Sequence, residues 1–334
     1  MADLRTTVTE LVTGLGALGY ESPAEAIAAR PAEMVSVSPE IWDLLQRAYE
    51  GGGLAESFEQ AWSNGVAFSQ AQDGLRGRRP IVVEWKGPHR APGDEVAPAD
   101  LRIDHVYLVS CKYLSKIMIN ASPSHLFRRL LQGAHGLRSG DWYAEVAGVE
   151  YQHLYESVIS ELGLDDLPKN VSDLDQPGRR RLAGALSGGW PEPTLAAYLR
   201  LADVVAHRSA ELWQEALSSA SRSEAFLWRI LRIGSAPYFV LGASPAGPLR
   251  VRVATPWDWR LAFRLRRFVC AAQSGGQPRV SWTATVEDRR SATRYDVEGH
   301  VEVRWSHGRF SGNPEAKVYL DTEHSDVPGY FPLL

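Results

Sequence analysis

The chain has 334 residues, 44% of them hydrophobic and 23% charged, with a formal net charge of −4. That is the composition of an ordinary globular protein, long enough for one large domain with insertions or for two domains. No apolar run approaches the roughly 18 residues of a membrane span, the N-terminus lacks the basic-then-apolar pattern of a secretory signal, and the two cysteines, Cys111 and Cys270, exclude a disulfide framework and a four-cysteine zinc site. The expectation is a soluble cytoplasmic protein with no membrane partner. The cations are skewed: only Lys86, Lys112, Lys116, Lys169 and Lys317 are lysines, and the remaining cations are arginines. A lysine in such a chain is less arbitrary, because a compact ammonium does chemistry that guanidinium does not.

Residues 1–50 read as helical, with Leu4, Val8, Leu11 and Leu15 at helical spacing. Gly14, Gly16 and Gly19 match G-x-G-x-x-G, but they follow a helical pattern and precede another at 22–30. A helix end and turn is therefore favoured over dinucleotide binding, whose fingerprint needs strand, turn and helix. Residues 41–49 form an amphipathic helix stopped by Gly51-Gly52-Gly53. Residues 54–72 read as the next helix, burying Leu54, Phe58, Ala61, Trp62 and Phe68 and carrying Glu56 and Glu59. Residues 74–80 make a basic turn that either touches phosphates or simply connects. Residues 81–86 read as a strand closed by Gly87-Pro88, and 89–97 as a loop.

Residues 100–113 read as a β-hairpin: a strand at 100–103, a turn at Asp104-His105 and a strand at 106–113. Side chains two apart share a face, which puts Asp100, Arg102 and Asp104 in phase, and Ser110 in phase with Lys112. The hairpin can bring Asp100 beside Ser110 and Lys112 where a sheet face would otherwise be apolar. Such breaks in binary patterning tend to be functional.

Pro98-Ala99-Asp100 followed by Ser110-Cys111-Lys112 resembles the PD-(D/E)XK nuclease superfamily, the fold of many restriction endonucleases, over residues 54–127. The resemblance implies a divalent metal, Mg²⁺ or Mn²⁺, with Asp100 as its principal ligand and the backbone carbonyl of Cys111 as a second. Ser110 stands where the family has an acid, and its hydroxyl would hold a metal-bound water. Lys112 would orient the attacking water or stabilise charge on the phosphate. A second carboxylate would come from Glu59, since the first core helix of the superfamily often supplies one, or from Glu84. Glu84-x-Lys86 is also a rival acid-x-Lys pair, although no suitable Asp precedes it on an adjacent strand. Lys86 and Lys116 would flank the substrate.

Ser115 to Asn120 reads as a strand or turn, and a helix follows at 126–132 with a Ser N-cap and Arg128-Arg129 on one side. Residues 140–195 look helical but turn-rich and read as an insertion. Helices follow at 193–220 and 224–233, and strands at 238–241 and 249–254. Over 257–268, Arg260, Arg264 and Arg267 fall on one helical face; on a strand, Arg264 and Arg266 would share a face instead. Either arrangement would grip a nucleic-acid backbone, and a solvated face is the alternative. Residues 279–320 alternate strongly and read as β-rich. His300 and His307 are too loosely arranged to suggest a metal site.

The expected fold is mixed α/β, with a restriction-endonuclease-like central sheet flanked by helices. A helical region would span 1–50, a nuclease-like core 51–260 with a helical insertion around 140–195, and a β-rich region 261–334. The implied function is a Mg²⁺-dependent endodeoxyribonuclease in restriction-modification or antiviral defence, as a homodimer or with a defence-system partner, with RNA a further substrate class. The alternative is a nuclease-like fold that has lost catalysis and serves as a nucleic-acid-binding or assembly subunit; Ser110 keeps it open. Serine-hydrolase, phosphate-loop and zinc-protease motifs are absent from the sequence.

Overall fold

The structure is a computed structural model that describes residues 4–87, 99–130, 140–245 and 247–334. The expected loop at 89–97, Pro98 and the end of the helix expected at 126–132 lie outside the described residues. The protein is mixed α/β. Its helices are α1 (Leu4–Gly16), α2 (Pro23–Ala29), α3 (Pro39–Glu50), α4 (Ala55–Gln70), α5 (Trp142–Glu161), α6 (Gln176–Ala185), α7 (Glu192–Ala216), α8 (Ala220–Ile230) and α9 (Pro256–Ala262). Its strands are β1 (Met34–Val35), β2 (Val83–Trp85), β3 (Leu101–Ile103), β4 (Tyr107–Tyr113), β5 (Ile117–Ala121), β6 (Tyr238–Ser244), β7 (Gly247–Val253), β8 (Phe263–Gln273), β9 (Arg279–Asp288), β10 (Arg294–Arg304), β11 (Glu315–Leu320) and β12 (Tyr330–Pro332). Among the described residues, no helix is long and apolar enough to cross a membrane.

The chain divides into two compact units. Met1–Ser115, Arg232–Phe263 and Glu323–Leu334 make the first; Lys116–Leu231 and Arg264–Thr322 make the second. The division follows sheet pairing rather than chain order. The N-terminal helices belong with the first sheet, and β5, four residues beyond β4, belongs to the second.

In the first unit the strand order is β1-β2-β3-β4-β6-β7-β12. β1 with β2 and β4 with β6 are parallel, and the other pairs are antiparallel. Alternation separates the two faces. Val83, Trp85, Leu101, Ile103, Val109 and Phe239 pack against Val8, Leu11, Leu15, Phe58 and Phe68 of α1 and α4, so Glu84, Arg102 and Ser110 project to the opposite face. α1 and α4 cross closely at Gly16 and Gly65: a Cβ on Gly65 would stand 2.1 Å from the Thr13 carbonyl oxygen. The G-x-G segment thus ends a helix and seats a helix crossing, which is packing rather than cofactor chemistry.

The second unit holds an antiparallel sheet in the order β5-β11-β10-β9-β8. Val280, Trp282, Ala284, Val297, Val301 and Val318 are buried from it, as are Leu201, Val205 and Trp213 of α7. Tyr143 of α5 donates its hydroxyl proton to the Val303 carbonyl at 3.0 Å, and Phe127 packs against both Trp142 and Trp213.

Of the two arrangements open over 257–268, the structure takes helix first and then strand, so the helical face proposed for Arg260, Arg264 and Arg267 is corrected. A capping box, in which Thr255 accepts from the Asp258 N–H and Asp258 accepts from the Thr255 N–H, opens α9. That helix stops at Ala262, and the chain continues as β8. Arg260 is therefore on a helix and Arg264 and Arg267 are on a strand, so no single helical face carries the three. Sheet pairing to β9 overrides the helical spacing of the arginines.

Candidate active site

The hairpin that carries the expected motif forms where its residue types require. β3 and β4 pair antiparallel with Leu101 opposite Val109 and Ile103 opposite Tyr107. Asp104 and His105 both adopt left-handed backbone, φ 50° and 60°, which tight hairpin turns need. Asp104 fixes that turn to its neighbour strand, accepting from the Ile81 N–H at 2.7 Å and the Val82 N–H at 3.2 Å. It also pairs with Arg78 at 2.5 Å. Burial works against the Asp104 carboxylate, but the hydrogen bonds from Arg78, Val82 and Ile81 outweigh it and hold the carboxyl below its ordinary value.

Asp100 sits between two strands. Leu101 opposes both Val109 and Trp85, which sets Asp100 between Ser110 and Lys86; the Lys86 N–H donates to the Asp100 carbonyl at 3.0 Å. The Asp100 Oδ2 accepts from the Ser110 hydroxyl at 3.2 Å and from the Cys111 backbone N–H at 2.7 Å. Ser110 is buried and Lys112 half-buried; alternation puts both on the Asp100 face. The same face carries Glu84, whose Oε1 pairs with Lys86 Nζ at 3.2 Å and whose Oε2 pairs with Arg102 Nη2 at 2.6 Å. The rival Glu84-x-Lys86 pair and the Asp100/Ser110/Lys112 set therefore line one face of three adjacent strands.

Cys111 points the other way, into the α1 and α4 layer. Burial, then the negative charges of Asp100 and Glu10, push its thiol well above its ordinary value, which disfavours the thiolate. Glu10 of α1 accepts from Trp85 Nε1 at 2.6 Å. It is a carboxylate near Cys111 that sequence reasoning missed, and it lies on the opposite sheet face from Ser110. Glu59 is exposed on α4, the helix that covers that opposite face, so the structure does not bring it to Asp100. Glu84 is the nearer of the two acids considered.

Behind the site, Gly242 of β6 lies flush against Lys112: a Cβ there would stand 1.8 Å from the Lys112 carbonyl oxygen. The Gly242 carbonyl accepts from buried Asn64 at 3.0 Å, and Asn64 in turn accepts from Arg250 at 2.8 Å. This closeness was invisible in the sequence; the Glu84/Lys86 neighbourhood was not, since extending the ladder one strand past 100–103 aligns the parities.

In the second unit, the strand alternative for the arginines describes the geometry. Arg264 and Arg266 both bond the Glu287 carboxylate. Arg267 is exposed, as is Arg260, which belongs to the first unit.

Comparison with protein-family models, with curated proteins and with solved structures finds no match to this chain.

Proposed function

We propose that the chain is a divalent-metal-dependent endonuclease that hydrolyses DNA phosphodiester bonds. The observation that carries the reading is the meeting of Asp100, Ser110 and the Cys111 backbone on a sheet face shared with Glu84, Lys86 and Lys112. The restriction or antiviral setting comes from the family resemblance and not from the site.

Mg²⁺ takes oxygen donors and is commonly held by one or two carboxylates, with substrate phosphates completing its shell. Asp100 supplies one carboxylate. The N–H and C=O of a strand residue point to the same edge, so the Cys111 carbonyl lies on the edge that faces Asp100 and is a second oxygen donor. The donor set would suit the ion with Asp100 as its carboxylate, and Glu84 is engaged by Lys86 and Arg102. When bound, the ion supplies charge neutralisation at the phosphate and an activated water. The chain's own part is to hold Asp100 in place through Ser110 and Cys111 and to set Lys112 and Lys86 against the charge that develops on the phosphate.

A second reading is a nuclease-like nucleic-acid-binding or assembly subunit without catalysis. The observation favouring it is that Ser110, not an acid, stands beside Asp100 and donates its hydroxyl proton to the Asp100 carboxylate at 3.2 Å.

Supercoiled plasmid and a labelled RNA, each incubated with Mg²⁺ or Mn²⁺, separate the two. Wild type should cut DNA. Asp100→Asn should cut slower by orders of magnitude while still binding DNA, and Lys112→Ala should lose cleavage but retain the metal. Wild-type rates for Asp100→Asn would move the site elsewhere. A wild type that cuts neither nucleic acid with either metal leaves the binding-subunit reading.

A further inference from the structure

The second unit contains a carboxylate with more positive charge around it than it can neutralise. Glu287, near the end of β9, has a side chain only 4% exposed. Arg264 donates to it through Nε at 2.9 Å and also through Nη2. Arg266 donates through Nε at 2.8 Å and Nη2 at 3.0 Å. Arg294, opposite Glu287 in the β9–β10 ladder, adds a longer contact at 3.4 Å. One guanidinium would satisfy a carboxylate's charge. Three leave an excess of two, and their side chains remain 42%, 39% and 66% exposed.

The surroundings extend the excess. Arg289 and Arg290 are exposed in the turn between β9 and β10. Asp288 shapes that turn by accepting from the Arg290 and Ser291 N–H groups at 2.7 and 2.9 Å. Arg264, Arg266, Arg289, Arg290 and Arg294 thus stand against Glu287 and Asp288, in a chain whose net charge is −4.

A guanidinium has five N–H donors in a rigid fork that matches phosphate oxygens two at a time. Glu287 takes only Nε and Nη2 of Arg264 and of Arg266, so the Nη1 group of each is outside that pairing. The buried acid thus does two things. It fixes the planes of two arginines on a strand, where an unsupported long side chain would sample many rotamers, and it leaves the cluster positive. Hydrogen-bonded orientation of a ligand-binding group by a buried partner is how sites are pre-set for recognition.

We propose that Arg264, Arg266 and Arg294, held on Glu287, together with Arg289 and Arg290 of the adjoining turn, form a binding surface for the phosphate backbone of duplex DNA. The inference rests on the reading of the chain as one that acts on DNA, but not on its being able to cut. It replaces the single helical face of Arg260, Arg264 and Arg267 with a cluster built on two strands and a turn. Backbone contacts of this kind position a nucleic acid without reading its sequence.

The test is fluorescence polarisation with a fluorescein-labelled 30-base-pair duplex of mixed sequence, in EDTA so that cleavage plays no part, over a series of salt concentrations. The variant is Arg289→Ala/Arg290→Ala/Arg294→Ala, which leaves Glu287 its two closer arginines. Arg180→Ala/Arg200→Ala/Arg208→Ala removes the same charge from exposed helical positions and serves as the control. Each lost phosphate contact lowers the slope of log affinity against log salt by about 0.9. The cluster variant should therefore lose about 2 to 3 from that slope and bind roughly 10- to 100-fold more weakly at low salt, while the control stays within about twofold of wild type. Equal losses in the two variants would show a diffuse field and overturn the proposal, as would an unchanged affinity in the cluster variant or a wild type that does not bind the duplex at low salt. A wild type that binds through the cluster but never cuts with metal would overturn the endonuclease reading alone.

Discussion

Replacing Gly242 by alanine should cost more than any other single methyl group near the site. The added Cβ would stand 1.8 Å from the Lys112 carbonyl oxygen, 2.7 Å from its carbon and 3.0 Å from its Cα. Bringing the first contact to the closest distance seen for real Cβ atoms, 3.0 Å, needs a shift of about 1.2 Å between strands that ordinarily lie 4.7–4.9 Å apart. All three contacts are backbone, so no side chain can swing aside. β4 and β6 are joined by a continuous parallel ladder from Leu108/Tyr238 to Tyr113/Ala243, and a shift of that size breaks its bonds on either side of Gly242. Overpacking of this kind costs about 1–3 kcal/mol, and one or two lost backbone hydrogen bonds add about 1 kcal/mol each. The sum, roughly 2–5 kcal/mol, is a large part of the 5–15 kcal/mol that typically stabilises a folded protein. Urea unfolding followed by tryptophan fluorescence should show the midpoint fall at an unchanged slope. A loss below about 0.5 kcal/mol, within the range of ordinary surface changes, would show that β4 and β6 are not pressed together at Lys112.

Two further outcomes follow from the charged groups. Asp104 has its carboxyl held below the ordinary range, so its contribution is full above that range and is lost as pH falls through the folded value; Asp104→Asn should cost about 1–2 kcal/mol at neutral pH and flatten the acid limb of a urea-midpoint-against-pH curve, whereas parallel curves for variant and wild type would rule the linkage out. Hydrogen bonds from Arg266 and then Arg264 hold the Glu287 carboxyl down to about 2, so its stabilisation is present above the usual glutamate value and is lost between there and about 2. Glu287→Gln should remove that dependence, and a variant with the wild-type profile would contradict it.

Much of the first unit was legible because its signals are local. The hairpin at 100–113, its turn at Asp104-His105 and the face shared by Asp100 and Ser110 follow from period-two alternation and turn chemistry, and β3 and β4 lie within a residue or so of the expected strands. The short strands β1 and β12 were not legible. Each is only two or three residues long and is defined by the partner it joins, β2 or β7, rather than by its own composition. The same holds for β5, which continues the chain from the hairpin yet pairs with β11, almost two hundred residues on. At Arg264 the signal was ambiguous: arginines at three- and four-residue spacing fit a helix, a strand would put Arg264 and Arg266 on one face, and only the partner β9 decides between them. Glu10 escaped notice for a related reason. Its interest comes from Trp85, seventy-five residues away, and nothing near it in sequence marks it.

The charges on the Asp100 face bear on the serine at position 110 under the proposed nuclease reading. Asp100 and Glu84 are set against Lys86, Arg102 and Lys112, while Asp104 and Arg78 cancel one another. That pair aside, the side chains named here, among the described residues, are three cations and two carboxylates. A second acid at position 110 would lie beside Asp100, where the Ser110 hydroxyl is 3.2 Å from a carboxylate oxygen, and two carboxylates that close repel unless a cation joins them. Ser110 removes that repulsion and instead donates to Asp100, and the Cys111 N–H does the same. Under the proposed function, a phosphate bound beside these cations would lower the cost of placing a divalent cation at Asp100. The two proposed readings would then share a first step, a phosphate at this face, and would part over whether a cation joins it at Asp100; the cleavage and binding assays with and without Mg²⁺ separate them.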